Sequence, residues 1–306
     1  PYSMSDVRLT PGQKLRDTKK EIVSYLVSFG IEKSEARVEA DMIVESVSGM
    51  KNPRQLVCND LPLTREQLEK MERFVAARSK RLPIQYCLGE AHFFGLKLKI
   101  RKGVFIPRTD TETLVETSLK LALPAGDKEV IRVLEIGVGS GAISVSLLKK
   151  NEAMTVIGTD ISEEALCLTR ENAEIHGVSG RLDLRSEGLW WTLADRFDLI
   201  VSNPPYIPES QMESLQPEII RYEPHEALFG KDPDGLRFYR KLASTAQELF
   251  DSTGGYIVVE VGDGQATLVE GIFTDAGWVD VKTFNDVNGI SRVVSASCPI
   301  RELSKA

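Results

Sequence analysis

Asn203-Pro204-Pro205-Tyr206, closing the apolar run Phe197 to Ser202, constrains the chemistry of this chain more than any other segment. Two consecutive prolines remove two backbone donors and hold Asn203 extended, which leaves carbonyl oxygens free to accept from something else. A planar NH2 group fits that edge. One of its hydrogens goes to the Asn203 side-chain oxygen and the other to the Pro204 carbonyl, while the Tyr206 ring stacks on the plane. The nitrogen is then fixed for in-line attack on a sulfonium methyl. If it is an amide nitrogen, resonance makes it a poor nucleophile. The site must therefore hold it near the methyl and stabilise charge as the lone pair leaves conjugation. No strong base is needed before transfer, because the proton becomes acidic once the methyl is attached. The histidines agree with this: His92, His176 and His225 are the only three, and none stands beside an evident nucleophile.

A second motif, Glu135-Ile136-Gly137-Val138-Gly139-Ser140-Gly141-Ala142, follows the apolar run Val130 to Ile136 and opens a helix. Glycines there let the backbone approach a ligand and aim helix N-terminal N–H groups at it. Gly137, Gly139 and Ala142 also satisfy the dinucleotide fingerprint, with Asp160 about 20 residues on as a ribose acceptor. This motif alone does not separate S-adenosylmethionine from NAD. The Asn203 to Tyr206 segment favours the methyl donor, since a dehydrogenase leaves it idle and needs an acid or base beside the hydride path that the sequence does not supply. A planar NH2 is offered by adenine as well as by a side-chain amide, so an adenine-N6 methyltransferase acting on DNA or RNA is the competing reading.

Charge weighs on that choice. The 306 residues carry a net charge of −7, which disfavours broad capture of nucleic-acid phosphates. The apolar and charged fractions, 42% and 27%, are those of a globular protein. The longest apolar runs fall far short of the roughly 20 residues of a membrane helix. Cys58, Cys87, Cys167 and Cys298 are scattered without metal-ligand spacing, so no metal and a reducing cytoplasmic setting are expected. Pro1 to Ser5 has neither a basic nor an apolar targeting region, and a tag remnant or processing scar is expected there.

The length allows two units. From Pro11 to Lys80 apolar residues recur at helical spacing, broken at Gly30, at 49–53 and at 61–63, and Thr64 with Gln67 forms a capping box. His92 to Ile106 alternates as a β-hairpin, after which Thr109 or Asp110 is placed to cap a helix from about Thr111 to Leu121. From Val130 strands and helices alternate, ending in two strands near Trp278 to Phe284 and Arg292 to Ser297, which implies βαβ units and a parallel sheet covered on both faces. The expected boundaries are a helical domain over 1–88, a hairpin linker over 89–107 and a catalytic domain over 108–306.

Taken together, Phe105-Ile106-Pro107-Arg108-Thr109-Asp110-Thr111-Glu112, the Glu135 to Gly141 turn, Asp160, Asn203 to Tyr206 and Arg221-Tyr222-Glu223-Pro224 resemble the HemK/PrmC family, the protein-(glutamine-N5) methyltransferases of peptide chain release factors. The resemblance covers nearly the whole chain. It implies an α/β fold, a Rossmann-like class I methyltransferase sheet, with a small N-terminal all-helical substrate-recognition domain and a β-hairpin linker. It also implies a cytoplasmic enzyme with S-adenosylmethionine as methyl donor and the glutamine in the GGQ loop of class 1 release factors as acceptor, with no membrane or nucleic-acid partner. On that likeness Gly137, Val138, Gly139, Ser140, Gly141 and Asp160 hold the cofactor. Phe105, Arg108, Thr111 and Asn203 border it, and Asn203, Pro204, Pro205 and Tyr206 take the glutamine, with Asn203, Pro204 and Tyr206 catalytic. Thr109 stands where the family usually has proline. After the third strand Glu187 and Gly188 are expected in the adenine pocket, with Trp190 the alternative.

Overall fold

The computed structural model describes residues 7–50, 62–122, 130–186 and 192–300. Pro1 to Ser5, Cys58 and the expectation for Glu187, Gly188 and Trp190 lie outside them.

The chain divides into two compact units, one made of residues 1–89 with 217–222 and the other of 90–216 with 223–306. In the first, α1 (Leu15–Ser28), α2 (Lys33–Ser48), α3 (Arg65–Arg78) and the short α4 (Ile84–Leu88) bury a shared apolar stripe that includes Leu15, Ile22, Leu26, Ile43, Met71 and Val75. The predicted capping box is present: Gln67 N–H donates to Thr64 Oγ1 at 3.2 Å and Thr64 N–H to Gln67 Oε1 at 2.9 Å. A cap of this kind stabilises a helix by about 1 kcal/mol. Glu32 caps α2 through the Ser34 and Glu35 amides.

The unit also includes α8 (Pro217–Tyr222), a segment remote in sequence. What holds it is ionic. Arg78, only 1% exposed, donates from Nε to both oxygens of Glu39 at 2.9 Å, from Nη1 to Glu218 at 2.7 Å and from Nη2 to Glu35 at 3.1 Å. Arg81 adds a second contact to Glu218, and the Tyr222 hydroxyl donates to the Lys80 carbonyl at 2.7 Å. Burial pushes the Glu39 carboxyl up to about 7 against the opposing pull of Arg78.

The second unit opens with an antiparallel pair, β1 (Glu90–Phe93) and β2 (Leu96–Lys99); the hairpin expected over His92 to Ile106 is thus shifted towards the N-terminus, with its turn at Phe94-Gly95 and with Val104 to Ile106 outside any strand. A 3-10 turn, Thr109–Thr111, leads into α5 (Glu112–Ala122), and Asp110 pairs with Arg292 at 3.2 Å. There follow β3 (Ile131–Ile136), α6 (Ala142–Lys150), β4 (Met154–Thr159), α7 (Glu163–Ile175), β5 (Leu182–Arg185) and β6 (Leu199–Ser202). After α8 come α9 (Arg237–Thr245), β7 (Gly255–Glu260), α10 (Ala266–Asp275), β8 (Val279–Asn285) and β9 (Ser291–Cys298).

Seven of these strands form one sheet in the order β5-β4-β3-β6-β7-β9-β8. Alternate residues serve opposite faces. Leu134, Ile200, Ile257, Val259 and Val294 join one core cluster, and Val133, Leu199, Val201, Val258 and Val293 the other. Burying each such side chain contributes about 1.5–3 kcal/mol. The expectation of a parallel sheet needs one correction: β9 pairs antiparallel with both β7 and β8. Only the short connection 286–290 separates β8 from β9, too little for the crossover a parallel pair requires.

Candidate functional site

The strand order reverses between β4-β3 and β6-β7, and in open α/β sheets the crevice beyond the strand ends at such a reversal is where ligands bind. The motif residues sit at those ends. The turn after β3 has Gly137, Gly139 and Gly141 at φ of 81°, 54° and 79°, all in the left-handed region. A Cβ on Gly141 would meet Thr169 Cγ2 at 2.8 Å, so that glycine serves packing, whereas a Cβ on Gly137 or Gly139 would meet nothing within 4 Å. Open space above those two positions is what a ligand laid along the turn requires. The turn is pinned from beneath: Gly137 and Val138 N–H donate to the Thr159 carbonyl, Thr169 Oγ1 to the Gly139 carbonyl at 3.0 Å, and Asn172 Nδ2 to the Ser140 carbonyl at 2.9 Å.

Asp160 leaves β4 beside this turn. Its Oδ2 accepts from Gly139 N–H and its Oδ1 from Ser162 N–H, both at 2.9 Å. Each oxygen keeps a lone pair, enough for two ribose hydroxyls. Ser162, not Asp160, caps α7, through the Ala165 N–H. Burial raises the Asp160 carboxyl while the amides around it pull the other way.

Asn203 lies at the end of β6 with Nδ2 donating to Thr111 Oγ1 at 3.3 Å, and its Oδ1 takes no hydrogen bond from the described residues. Pro204 is buried and Pro205 half-buried. Tyr206 packs its ring on the sheet core and donates its hydroxyl to Glu260 Oε1 at 3.3 Å. Its main-chain carbonyl accepts from Gln265 Nε2 at 2.9 Å, and a Cβ on Gly235 would strike the same carbonyl at 2.1 Å. Phe105 and Arg108 stack, the guanidinium 5.0 Å from the ring centroid, and Arg108 is bound by the buried Glu223. The structure thus joins Thr111 to Asn203 by one hydrogen bond and Gly139 to Asp160 by another, while Tyr206 is bonded to Glu260 and Gln265. Phe105 with Arg108 forms a third group.

Two buried carboxyls at the strand ends, Glu135 and Glu260, were not predicted as site residues. An acidic residue closing an apolar strand at the sheet reversal was the available signal. Glu135 is fully buried, receives the Ser144 hydroxyl, leaves Oε1 unpartnered, and burial raises its carboxyl to about 8. It stays protonated in the folded chain between about 4.5, its ordinary value, and about 8. The stability this proton gives is complete below the lower value and lost as pH rises through the upper one. Glu135→Gln is therefore expected to melt like the parent near pH 4.5 and above it past pH 8. A thermal denaturation series against pH checks this, and a gap that does not change with pH would show that Glu135 does not titrate there.

A PrmC N-terminal domain model matches residues 20–89, and a methyltransferase small domain model matches residues 98–226. The release factor glutamine methyltransferase of Geobacter sulfurreducens is 44% identical over 271 residues, which is 88% of this chain and 92% of the relative. The chain belongs to the release factor glutamine methyltransferases. The Caulobacter vibrioides member of this family is 36% identical over 84% of this chain and 88% of its own length. Among solved structures, the catalytic domain of hMettl16 in complex with a 3′UTR hairpin superposes with a TM-score of 0.57 at 13% identity, covering 84% of this chain and 92% of that one. It shares the class I methyltransferase fold. As a release factor glutamine methyltransferase the chain is an S-adenosylmethionine-dependent enzyme, and the dehydrogenase reading of the glycine turn is set aside. No described helix is long and apolar enough to cross a membrane, and among the described residues no cluster of His, Cys, Asp and Glu could hold a metal ion.

Proposed function

We propose that this chain transfers a methyl group to the side-chain amide nitrogen, N5, of the glutamine in the GGQ motif of class 1 release factors, in the cytoplasm. The observation that carries the reading is Asn203, tied through Nδ2 to Thr111 and left with an unengaged oxygen at the end of β6. That oxygen and the Pro204 carbonyl are two acceptors for the two hydrogens of a planar NH2, and Tyr206 bounds the plane. When bound, S-adenosylmethionine supplies an electrophilic methyl. Gly137, Val138, Gly139, Ser140 and Gly141 would lie along the cofactor, Asp160 would take its ribose, and Phe105, Arg108 and Thr111 would border it. Asn203 and Pro204 hold the amide nitrogen with its lone pair directed at the methyl, which removes much of the entropic cost of the encounter. The two acceptors also stabilise the positive charge that develops as conjugation is lost. The proton then leaves to water or to a backbone acceptor. Residues 1–88 would hold the release factor, with no nucleic acid expected as a direct partner.

The test is incubation of the full chain with labelled S-adenosylmethionine and either a class 1 release factor or duplex DNA. Mass spectrometry is expected to place the added methyl on the GGQ glutamine. Label on DNA alone would replace this reading by adenine methylation.

A further inference from the structure

Behind the Asn203 edge stands a buried carboxyl with no part in the steps above. Glu260, the last residue of β7, is 2% exposed, and its main-chain carbonyl is held by the Tyr239 hydroxyl at 2.7 Å. Its Oε1 accepts from Tyr206 Oη at 3.3 Å. Its Oε2 is buried and accepts no hydrogen bond among the described residues, and the Thr111 hydroxyl is the first of the groups that favour its charged form. Thr111 in turn accepts from Asn203 Nδ2.

A hydroxyl has one proton, so the direction in which Thr111 gives it decides what Thr111 can offer Asn203. If the proton points at Glu260, Thr111 presents only lone pairs to Asn203. The asparagine then turns its NH2 inward and its oxygen outward. If the proton points at Asn203, the amide flips and offers a donor to the substrate amine, a repulsive pairing.

We infer that Glu260 is a positioning residue that sets the direction of the Asn203–Thr111–Glu260 chain, so that Asn203 presents an acceptor and never a donor to the substrate. The inference rests on the proposed amide-methylating function. Glu260 anchors Tyr206 by the other oxygen of the same carboxyl, so the group that faces Thr111 also holds the far end of the Asn203-Pro204-Pro205-Tyr206 segment.

The groups facing Glu260 are Thr111 and Asp110 from the 3-10 turn, Tyr206 from the segment after β6, Tyr239 from α9 and Arg292 from β9. Arg292 is shared with Asp110 at 3.2 Å and Asp286 at 3.5 Å. Burial lifts the Glu260 carboxyl to about 7 against the pull of Thr111, Tyr206 and Arg292. A protonated Glu260 can donate to Thr111 and reverse the chain, so the ordered arrangement belongs to the ionised form and is lost as pH falls below about 7.

The test compares the full chain with Glu260→Gln, Thr111→Val and Thr111→Ser. Glu260→Gln, which can donate where Glu260 accepts, and Thr111→Val are expected to lose about tenfold to a hundredfold in kcat, and in Glu260→Gln, which leaves the residues bordering the cofactor in place, S-adenosylmethionine affinity is expected to change little. Thr111→Ser, which keeps the hydroxyl, is expected to retain most of the rate. The acid limb of the wild-type kcat profile near pH 7 should vanish in Glu260→Gln. A second readout needs no substrate. In 15N-labelled protein the Asn203 side-chain NH2 signals should titrate near pH 7 in the wild type and stay fixed in Glu260→Gln. Should Glu260→Gln fail to fold, the wild-type titration and Thr111→Val still decide. Unmoved Asn203 signals, or wild-type kcat in Glu260→Gln, would overturn the inference. A wild type that leaves release factor unmethylated but shows the titration would overturn only the proposed function.

Discussion

Asn203→Ala is expected to lower methyl transfer by about a hundredfold to a thousandfold, the range seen when one preorganised polar group is removed from a charge-stabilising site. The alanine loses the acceptor that fixes one amine hydrogen and leaves the Thr111 hydroxyl without its partner. Cofactor affinity should change far less, because the glycine turn and Asp160 are held by contacts that do not involve Asn203. Single-turnover methylation of a release factor, alongside calorimetric titration with S-adenosylmethionine, separates the two quantities. Full activity in the variant would show that the amine is not held by Asn203, and a collapse of cofactor binding would move Asn203 from the acceptor side of the site to the donor side.

The second large effect concerns stability. Arg78→Ala removes the one guanidinium that Glu39, Glu218 and Glu35 share, and it strands Glu39 as a buried carboxyl while Glu218 keeps Arg81. Breaking a buried pair in this way costs about 3–5 kcal/mol. Set against a usual domain stability of about 5–15 kcal/mol, that is enough to unfold the first unit alone. Urea denaturation followed by hydrogen exchange is expected to show lost protection in α1, α2 and α3 with β3, β4 and β6 largely unaffected. Replacing Arg78 and Glu39 together by apolar residues of similar volume should recover most of the loss, because the buried Glu39 charge is gone and Glu218 stays paired with Arg81. A fully stable Arg78→Ala chain would mean that the carboxyls find other partners or water.

Both predictions bear on how far the sequence could be read. The elements were legible where each rests on a local signal: the glycine turn after β3, the capping box at Thr64, and the Leu96 to Lys99 alternation of β2. Asn203 to Tyr206 was legible because two prolines advertise their backbone consequences. The antiparallel β9 was missed because alternating strands and helices suggest crossovers until the short connection before β9 is weighed. The Arg78 cluster joins residues up to 140 positions apart, and no spacing rule pairs an arginine in one helix with a carboxylate at that distance. Glu260 was passed over for a related reason. Read along the chain it is the polar end of an apolar strand, and its meaning comes from Thr111 in the 3-10 turn before α5 and Tyr206 in the segment after β6.

The placement of α8 has a consequence for descent. Residues 217–222 fold with 1–89 while the chain on both sides of them belongs to the other unit, so the two units are interleaved along the gene. A recombination event with one junction near residue 89 would carry over Arg78 and Glu39 but leave Glu218 behind. The acquired helices would then meet whatever residue the recipient happened to encode in its place. Exchange of this unit between lineages therefore requires two coordinated crossovers, a constraint under which helices and sheet are expected to be inherited together.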